Sequence, residues 1–342
     1  MKQKQKQINI KREIKRTSKR EMDEVEIAKG VFMPTKIAFG TYKLRDEMLT
    51  KQAVLKALLV GYANIDLASI YRNEQIIGDA LHEYVNSDSD CDRTRRLPFI
   101  ASKISPQEMH SEKLVEQAFE RILNRLRVDR IDLIMLHWPG ISKVPPCSAL
   151  HKEKRRIAWK MLEKIMKRGS ARAIGVSNYQ IEHLREMFDW CEIRPAVNQI
   201  EVHPLWPQEE LIEFCEKEGI KVVAYSPFGG EGAPLLDRNG FLRENNVFED
   251  SEKDLELELD SELEKRGIKQ SQVLLAWSLR RVSCVVVKAS SAARIEENYL
   301  ALERLRDVKN DADACVLFNK AIDRWENLKF RKKFAWDSNC IQ

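Results

Sequence analysis

The chain has 342 residues, 43% of them hydrophobic and 32% charged, enough to build the core of one large α/β domain or two smaller ones. The formal charge of +5 is concentrated at one end: residues 1–21 carry nine Lys/Arg against two Glu, a net +7, so the rest sums to −2 and a basic surface on the folded part is not implied. No window of about 18 apolar residues occurs and the basic N-terminus lacks the apolar run of a secretory signal, so the expectation is an intracellular protein with no contact with membrane.

Residues 1–23 are expected to be a solvated basic extension outside the domain, which spans 24–342. Its segment "KREIKRTSKR" has the composition of a nuclear-import or nucleic-acid patch. The expected location is therefore the cytoplasm, with the nucleus as the alternative this patch raises, and any nucleic-acid role would belong to the extension alone.

From Gly30 onward, short β-branched runs alternate with longer amphipathic segments. Strands are predicted at 36–40, 63–66, 99–103, 131–137, 171–176, 196–201, 221–226 and 283–288. Between them, apolar residues at three- and four-residue spacing predict helices over 49–61, 73–85, 111–126, 153–169, 208–219 and 294–305. Gly61, Gly169 and Gly219 stand where C-terminal caps belong. Eight strands alternating with helices point to a (β/α)8 barrel, and no G-x-G-x-x-G follows the first strand, as an open dinucleotide-binding sheet would want. The acidic run 249–265 is expected to contain a solvated helix, 87–96 a surface loop, and the Gly-rich 228–240 a loop able to cover a ligand. The seven cysteines include no C-x-x-C or Cys/His pair at zinc spacing and are read as reduced thiols, with no metal site.

Chemistry in a barrel of this kind collects at the C-terminal ends of the strands. Asp66, Lys103 and His137 end the second, third and fourth predicted strands, and Tyr71 lies on the loop after Asp66. A phenol is a slow acid at neutral pH. A lysine ammonium nearby would lower its pKa, an aspartate would hold that lysine charged, and a histidine could orient a carbonyl. Singly, each has an ordinary structural reading, a helix cap for the Asp and a satisfied core residue for the His. Glu201 and His203 share a strand face and look like a metal or acid pair, but are assigned to the scaffold.

The blocks "GYANIDLASIYRNEQIIG", "IASK", "LIMLHWP", "AIGVSNY", "VNQIEVHPLWPQEELIEFCEKEGIKVVAYSPFG" and "KASSAARIEEN" occur in the order and spacing of the aldo-keto reductase family, which the chain resembles from Gly30 to about Leu302. The resemblance implies a nicotinamide dinucleotide bound on the barrel and a catalytic tetrad of Asp66, Tyr71, Lys103 and His137. NADPH would reduce an aldehyde or ketone, with Tyr71 as proton donor. It also implies contacts of Lys288 and Arg294 with the 2′-phosphate and of Glu297 and Asn298 with adenine. Asp66, Ser177, Asn178 and Gln199 would lie near the nicotinamide, Tyr225 would stack on it, Gly40, Thr41 and Tyr42 would flank the ribose or pyrophosphate, and Ser226 and Phe228 would begin a covering loop. The family often has serine after this lysine. Ala289 stands there, with Ser290 or Ser291 as replacement.

Tyr42, Tyr71, His137 and Trp138 would line the substrate pocket, with Trp206 nearby, and Phe330, Phe334 and Trp336 of the tail would close over the mouth or pack outside it. Ile104 and Ser105 stand where aldehyde-reducing members often have aromatics. A monomer or weak dimer is expected. The competing functions are a cofactor-binding regulatory or redox-sensing subunit with little turnover, and a Schiff-base aldolase using Lys103.

Overall fold

The computed structural model describes residues 24–87, 95–237, 241–247 without 243, 253–307, 312–335 without 327 and 329, and Ile341. The 1–23 extension and Trp336 lie outside the described residues, as do 88–94 of the predicted surface loop and 249–252 of the acidic run.

The described chain enters through an antiparallel hairpin, β1 (Val25–Ala28) and β2 (Val31–Met33). The closed parallel barrel follows, formed by β3 (Ile37–Gly40), β4 (Asn64–Asp66), β5 (Phe99–Ile104), β6 (Ile131–Leu136), β7 (Ala171–Ser177), β8 (Val197–Glu201), β9 (Lys221–Tyr225) and β10 (Cys284–Val287), with β10 returning to β3. Alternation along these strands splits the core in two. Ala38, Phe99, Ala101, Leu133, Met135, Val197 and Val286 fill the interior, where they join Ile27, Val31 and Met33 of the hairpin. Residues of opposite parity, such as Ile37, Phe39, Ile65, Ile100 and Ile134, pack outward into a second cluster with the helices. The hairpin therefore plugs the floor of the barrel, leaving the C-terminal ends of the strands as the open face.

The helices are α1 (Glu47–Val60), α2 (Glu74–Asn86), α3 (Glu112–Leu126), α4 (Leu150–Lys167), α5 (Ile181–Phe188), α6 (Glu209–Lys217), α7 (Lys253–Lys265), α8 (Gln270–Leu279), α9 (Ala292–Asp307) and α10 (Ala312–Asp323). α3 shows how sequence sets such an element. Ser111 caps it by accepting from Leu114 N at 3.3 Å, and Val115, Ala118, Phe119, Ile122 and Leu126 bury one stripe. The end of α1 falls at Gly61, φ 121°, whose N–H donates to the carbonyls of Ala57 and Leu58.

All eight predicted strands and six predicted helices are present, and α7 lies in the acidic run. The hairpin, α5, α8 and α10 were not predicted. α5 is only eight residues long, and α8 is buried from Ser271 to Ser278, so it has no polar face to betray its period. No described helix is long and apolar enough to cross a membrane, and the described residues contain no group of three His, Cys, Asp or Glu that could hold a metal.

Candidate active site

Parallel register brings the ends of β4 and β5 side by side, with Asp66 level with Ala101 and Lys103 one pleat further on. The Lys103 ammonium, fully buried, donates to Asp66 Oδ1 at 2.6 Å and to the Leu67 carbonyl at 2.8 Å. Gln199 Nε2 reaches from β8 to the other Asp66 oxygen at 2.7 Å. Both carboxylate oxygens are thus committed to holding Lys103 and Gln199, which makes Asp66 a positioning group.

Tyr71 ends a 3-10 turn, Ser69–Tyr71, just beyond β4. Its ring centroid lies 5.6 Å from Lys103 Nζ and 5.8 Å from the His137 imidazole, at 72°. His137 follows the last residue of β6, with its N–H bonded to the Ile104 carbonyl. The four residues expected to form the tetrad therefore meet at one place on the open face. Tyr42, half exposed, packs 5.1 Å from Tyr71 between ring centroids, and Trp138 is partly buried next to His137.

The electrostatics differ from expectation at one point. Burial pushes the Tyr71 pKa well above 10, and the Asp66 charge adds to the rise. The sequence suggested that Lys103 would lower it, but the ammonium is matched by a carboxylate at 2.6 Å, and the cost of burying a phenolate sets the direction of the shift. Burial also lowers the Lys103 pKa, with Asp66 opposing that shift. Burial and then the Lys103 charge hold His137 well below 6.5, so the imidazole is neutral. Its Nδ1 has no hydrogen-bond partner among the described residues, so nothing there prevents the Nε2–H tautomer from donating.

Sequence reasoning missed a clamp beneath the acid. Glu108 Oε2 accepts from Ser69 Oγ at 2.5 Å and from the N–H and Oγ of Ser105 at 3.0 and 2.8 Å, while Arg121 holds Oε1 at 2.9 Å. Ser69 belongs to the turn of Tyr71, and Ser105 immediately follows β5, which carries Lys103. The "SPQE" spacing was the available signal, since a serine three residues before a glutamate is a local capping pattern. Glu108→Ala is expected to lower kcat about tenfold, because loosening the turn misplaces the donor. Steady-state kinetics beside a melting curve check this; unchanged kcat with only a lower Tm would assign Glu108 to stability alone.

The residues expected near the nicotinamide form one network. Ser177 Oγ donates to the Gln199 carbonyl at 2.7 Å, and Asn178 Nδ2 donates to the His137 carbonyl at 3.0 Å and to Ser177 Oγ at 3.1 Å. Tyr225 OH donates to Asn178 Oδ1 at 2.6 Å. Gly40 ends β3 level with Asp66, whose carbonyl accepts from Oγ1 of the next residue, Thr41, at 2.9 Å. Asn73, at the start of α2, does not cap the helix with its side chain. Its amide instead donates to the carbonyls of Thr41 and Leu44, fixing the loop after β3.

That loop meets the one after β9, which starts at Ser226 (φ 56°) and runs through Phe228: Lys43 Nζ bonds Glu231 at 2.6 Å. This pair, 188 residues apart in sequence, left no signal there. At the end of β10, Lys288, Ser290 and Arg294 are exposed around the start of α9, and Ala289 is buried. Asn298 is buried nearby, whereas the Glu297 carboxylate is bound by Lys269 at 2.5 Å and Ser271 at 2.6 Å.

Residues 36–315 match the model of the aldo/keto reductase family. The chain is 34% identical over 276 residues to glyoxal reductase of Bacillus subtilis, covering 81% of this chain and 86% of that protein. It is 32% identical over 302 residues to an aldehyde reductase of Saccharomyces cerevisiae, covering 83% and 87% respectively. Among solved structures, aldose reductase of Giardia lamblia matches with a TM-score of 0.68 at 27% identity, over 88% of this chain and 94% of that one. An aldo-keto reductase complexed with NADPH matches with a TM-score of 0.69 at 26% identity, over 91% and 88%. Barrel and sequence agree: the chain belongs to the aldo/keto reductase family of oxidoreductases.

Proposed function

We propose that the protein reduces an aldehyde or ketone to the alcohol with NADPH, Tyr71 giving the proton. The observation that carries this reading is the meeting of the Tyr71 phenol, the His137 imidazole and a buried Lys103–Asp66 pair at the mouth of the barrel. A bound NADPH supplies a hydride to the carbonyl carbon. His137 and Tyr71 hydrogen-bond the carbonyl oxygen, and the Tyr71 proton transfers to that oxygen as negative charge gathers on it. Lys103, kept cationic by Asp66, faces the phenolate left behind until it is reprotonated from water at the mouth.

The chain's polar groups suit that cofactor. Lys288 and Arg294 put two cations at the start of α9, where a phosphate is favoured, and Ser290 is exposed between them to take the place of the serine missing at Ala289. The Ser177–Asn178–Gln199 network offers amide and hydroxyl groups to a carboxamide, and the Tyr225 ring gives a stacking face. Gly40, Thr41 and Tyr42 would flank the ribose or pyrophosphate, and the loop from Ser226 through Phe228 to Glu231, tied to Lys43, would cover it. Asp66 and Glu297 would act indirectly, since their carboxylates are already paired. Asn298 remains the adenine contact.

The test is a panel of small aldehydes, ketoses and larger ketones followed by loss of the NADPH absorbance band. Uptake of NADPH with no oxidation across the panel would instead leave a regulatory, cofactor-binding role. Arg294→Ala is expected to raise KM for NADPH about tenfold or more while KM for NADH changes less than about twofold, because only the former carries the 2′-phosphate. Equal losses with both cofactors would remove Arg294 from the phosphate site.

A further inference from the structure

Glu201 and His203 are fully buried on the open face of the barrel, and neither belongs to the tetrad. A carboxylate at that depth is costly unless its oxygens are matched. His203 Nε2 matches part of it at 3.1 Å, and the rest comes from a segment 133 residues away. The N–H of Phe334 donates to Oε1 at 2.8 Å, and that of Ala335 to Oε1 and Oε2 at 3.1 and 3.0 Å. Lys332 N continues the seam with a bond to the Leu205 carbonyl at 2.9 Å. The C-terminal segment is therefore stitched to the end of β8 by its backbone, with a buried carboxylate as the central stitch.

The same stitch fixes Phe334 in place. Its ring lies 5.4 Å from the His203 ring and 5.5 Å from Phe241. It also presses on the loop after β9: a Cβ placed on Gly229 would stand 3.0 Å from the Phe334 ring, and one on Gly230 would stand 3.1 Å from Phe334 Cβ. Both glycines have positive φ, 82° and 85°, so the turn brings bare backbone against the aromatic. The next residue is Glu231, which reaches across to Lys43. The contact chain runs without a gap from Glu201 through Phe334 and Gly229–Gly230 to the Glu231–Lys43 pair.

We infer that Glu201, braced by His203, is a positioning residue that couples the C-terminal segment to the loop after β9 through Phe334, so that seating of the segment controls both carbonyl binding and cofactor release. The inference rests on the reading above in which the Ser226–Glu231 loop covers the cofactor. Packed elements of this kind transmit displacement because neither side can give without opening a void. The tail and the loop then open together: a cofactor leaves when Phe334 lifts, and a carbonyl that holds the tail down keeps the cofactor in.

The experiment uses the full chain and NADPH, with release followed by stopped-flow fluorescence on chasing with excess NADP+. Phe334→Ala is expected to speed release about tenfold and to raise KM for the carbonyl, while single-turnover hydride transfer at saturation changes less than about twofold. Glu201→Gln keeps the shape but loses an acceptor and the charge, and should act in the same direction. Phe334→Leu serves if either variant melts too low to assay, and should give a smaller acceleration. A purely structural role would depress all steps together. Lys43→Ala separates the two readings. Faster release in Lys43→Ala with unchanged release in the Phe334 variants would overturn the coupling and keep the covering loop; unchanged release in both would overturn the covering loop and the coupling with it. Faster release in the Phe334 variants alone would also overturn the route through Glu231.

Discussion

Tyr71→Phe is expected to lower kcat for carbonyl reduction by about 10²–10⁴-fold while NADPH affinity stays within about twofold. On the proposed reading the Tyr71 hydroxyl faces the carbonyl and gives the proton, since burial raises its pKa well above 10 and holds that of His137 well below 6.5. Phenylalanine preserves the packing against Tyr42, so lost turnover would report the missing proton and not a collapsed wall. The wild-type pH profile follows from the same shifts. Neither residue changes charge near neutrality, so kcat/KM for reduction should be flat from about pH 6 to about pH 9.

A break near pH 6.5 in the wild type, abolished in a His137 variant, would show that the imidazole titrates and refute the neutral assignment. In stability the sign is opposite to that of a salt-bridged histidine. Because the folded pKa of His137 lies below its unfolded value, the unfolded chain takes up the proton first, and this residue lowers stability as pH falls through about 6.5. Near-normal turnover of Tyr71→Phe would remove Tyr71 as the acid and return attention to His137 or a bound water.

The parts of this molecule that were readable in sequence are those where a residue's neighbours along the chain determine its environment. Ile37, Ile65 and Ile134 announce buried strands because each strand packs on both sides, and Gly61 announces a helix end because its backbone conformation suits glycine. Asp66, Lys103 and His137 were readable because strand ends in a parallel barrel converge, and Tyr71 because it lies on the loop just after Asp66. The Tyr71 pKa was not readable, because its direction is set first by burial of the phenol and then by the Asp66 charge beside it, and both depend on the folded packing. Nor was the Phe334–Gly229 contact, since an exposed-looking tail motif says nothing of which loop it meets. Glu201 shows the limit most clearly: its pairing with His203 was legible, but its other partners are the backbone N–H groups of Phe334 and Ala335, which no side-chain pattern records.

Breaking the Lys103–Asp66 pair from either side is expected to cost about 3–5 kcal/mol of stability and most of the activity, whereas removing both partners should cost clearly less than the sum. The side chains are 1% and 5% exposed, so Lys103→Met leaves a buried carboxylate held only by Gln199, and Asp66→Asn leaves an ammonium without its counter-charge. The double variant leaves neither charge behind, and chemical denaturation of the four proteins measures the coupling directly. Additive losses would mean that the two charges do not act as a unit, contrary to their 2.6 Å contact. Activity distinguishes the partners. Lys103→Met should be nearly inactive at every pH, because the phenolate formed on proton transfer would have no facing cation. Asp66→Asn should keep some turnover with its alkaline limit moved to lower pH, because Asp66 is what raises the Lys103 pKa against burial. An unmoved alkaline limit in Asp66→Asn would show that Lys103 does not need Asp66 to stay charged, and that the carboxylate serves only to place Gln199 and the end of β4.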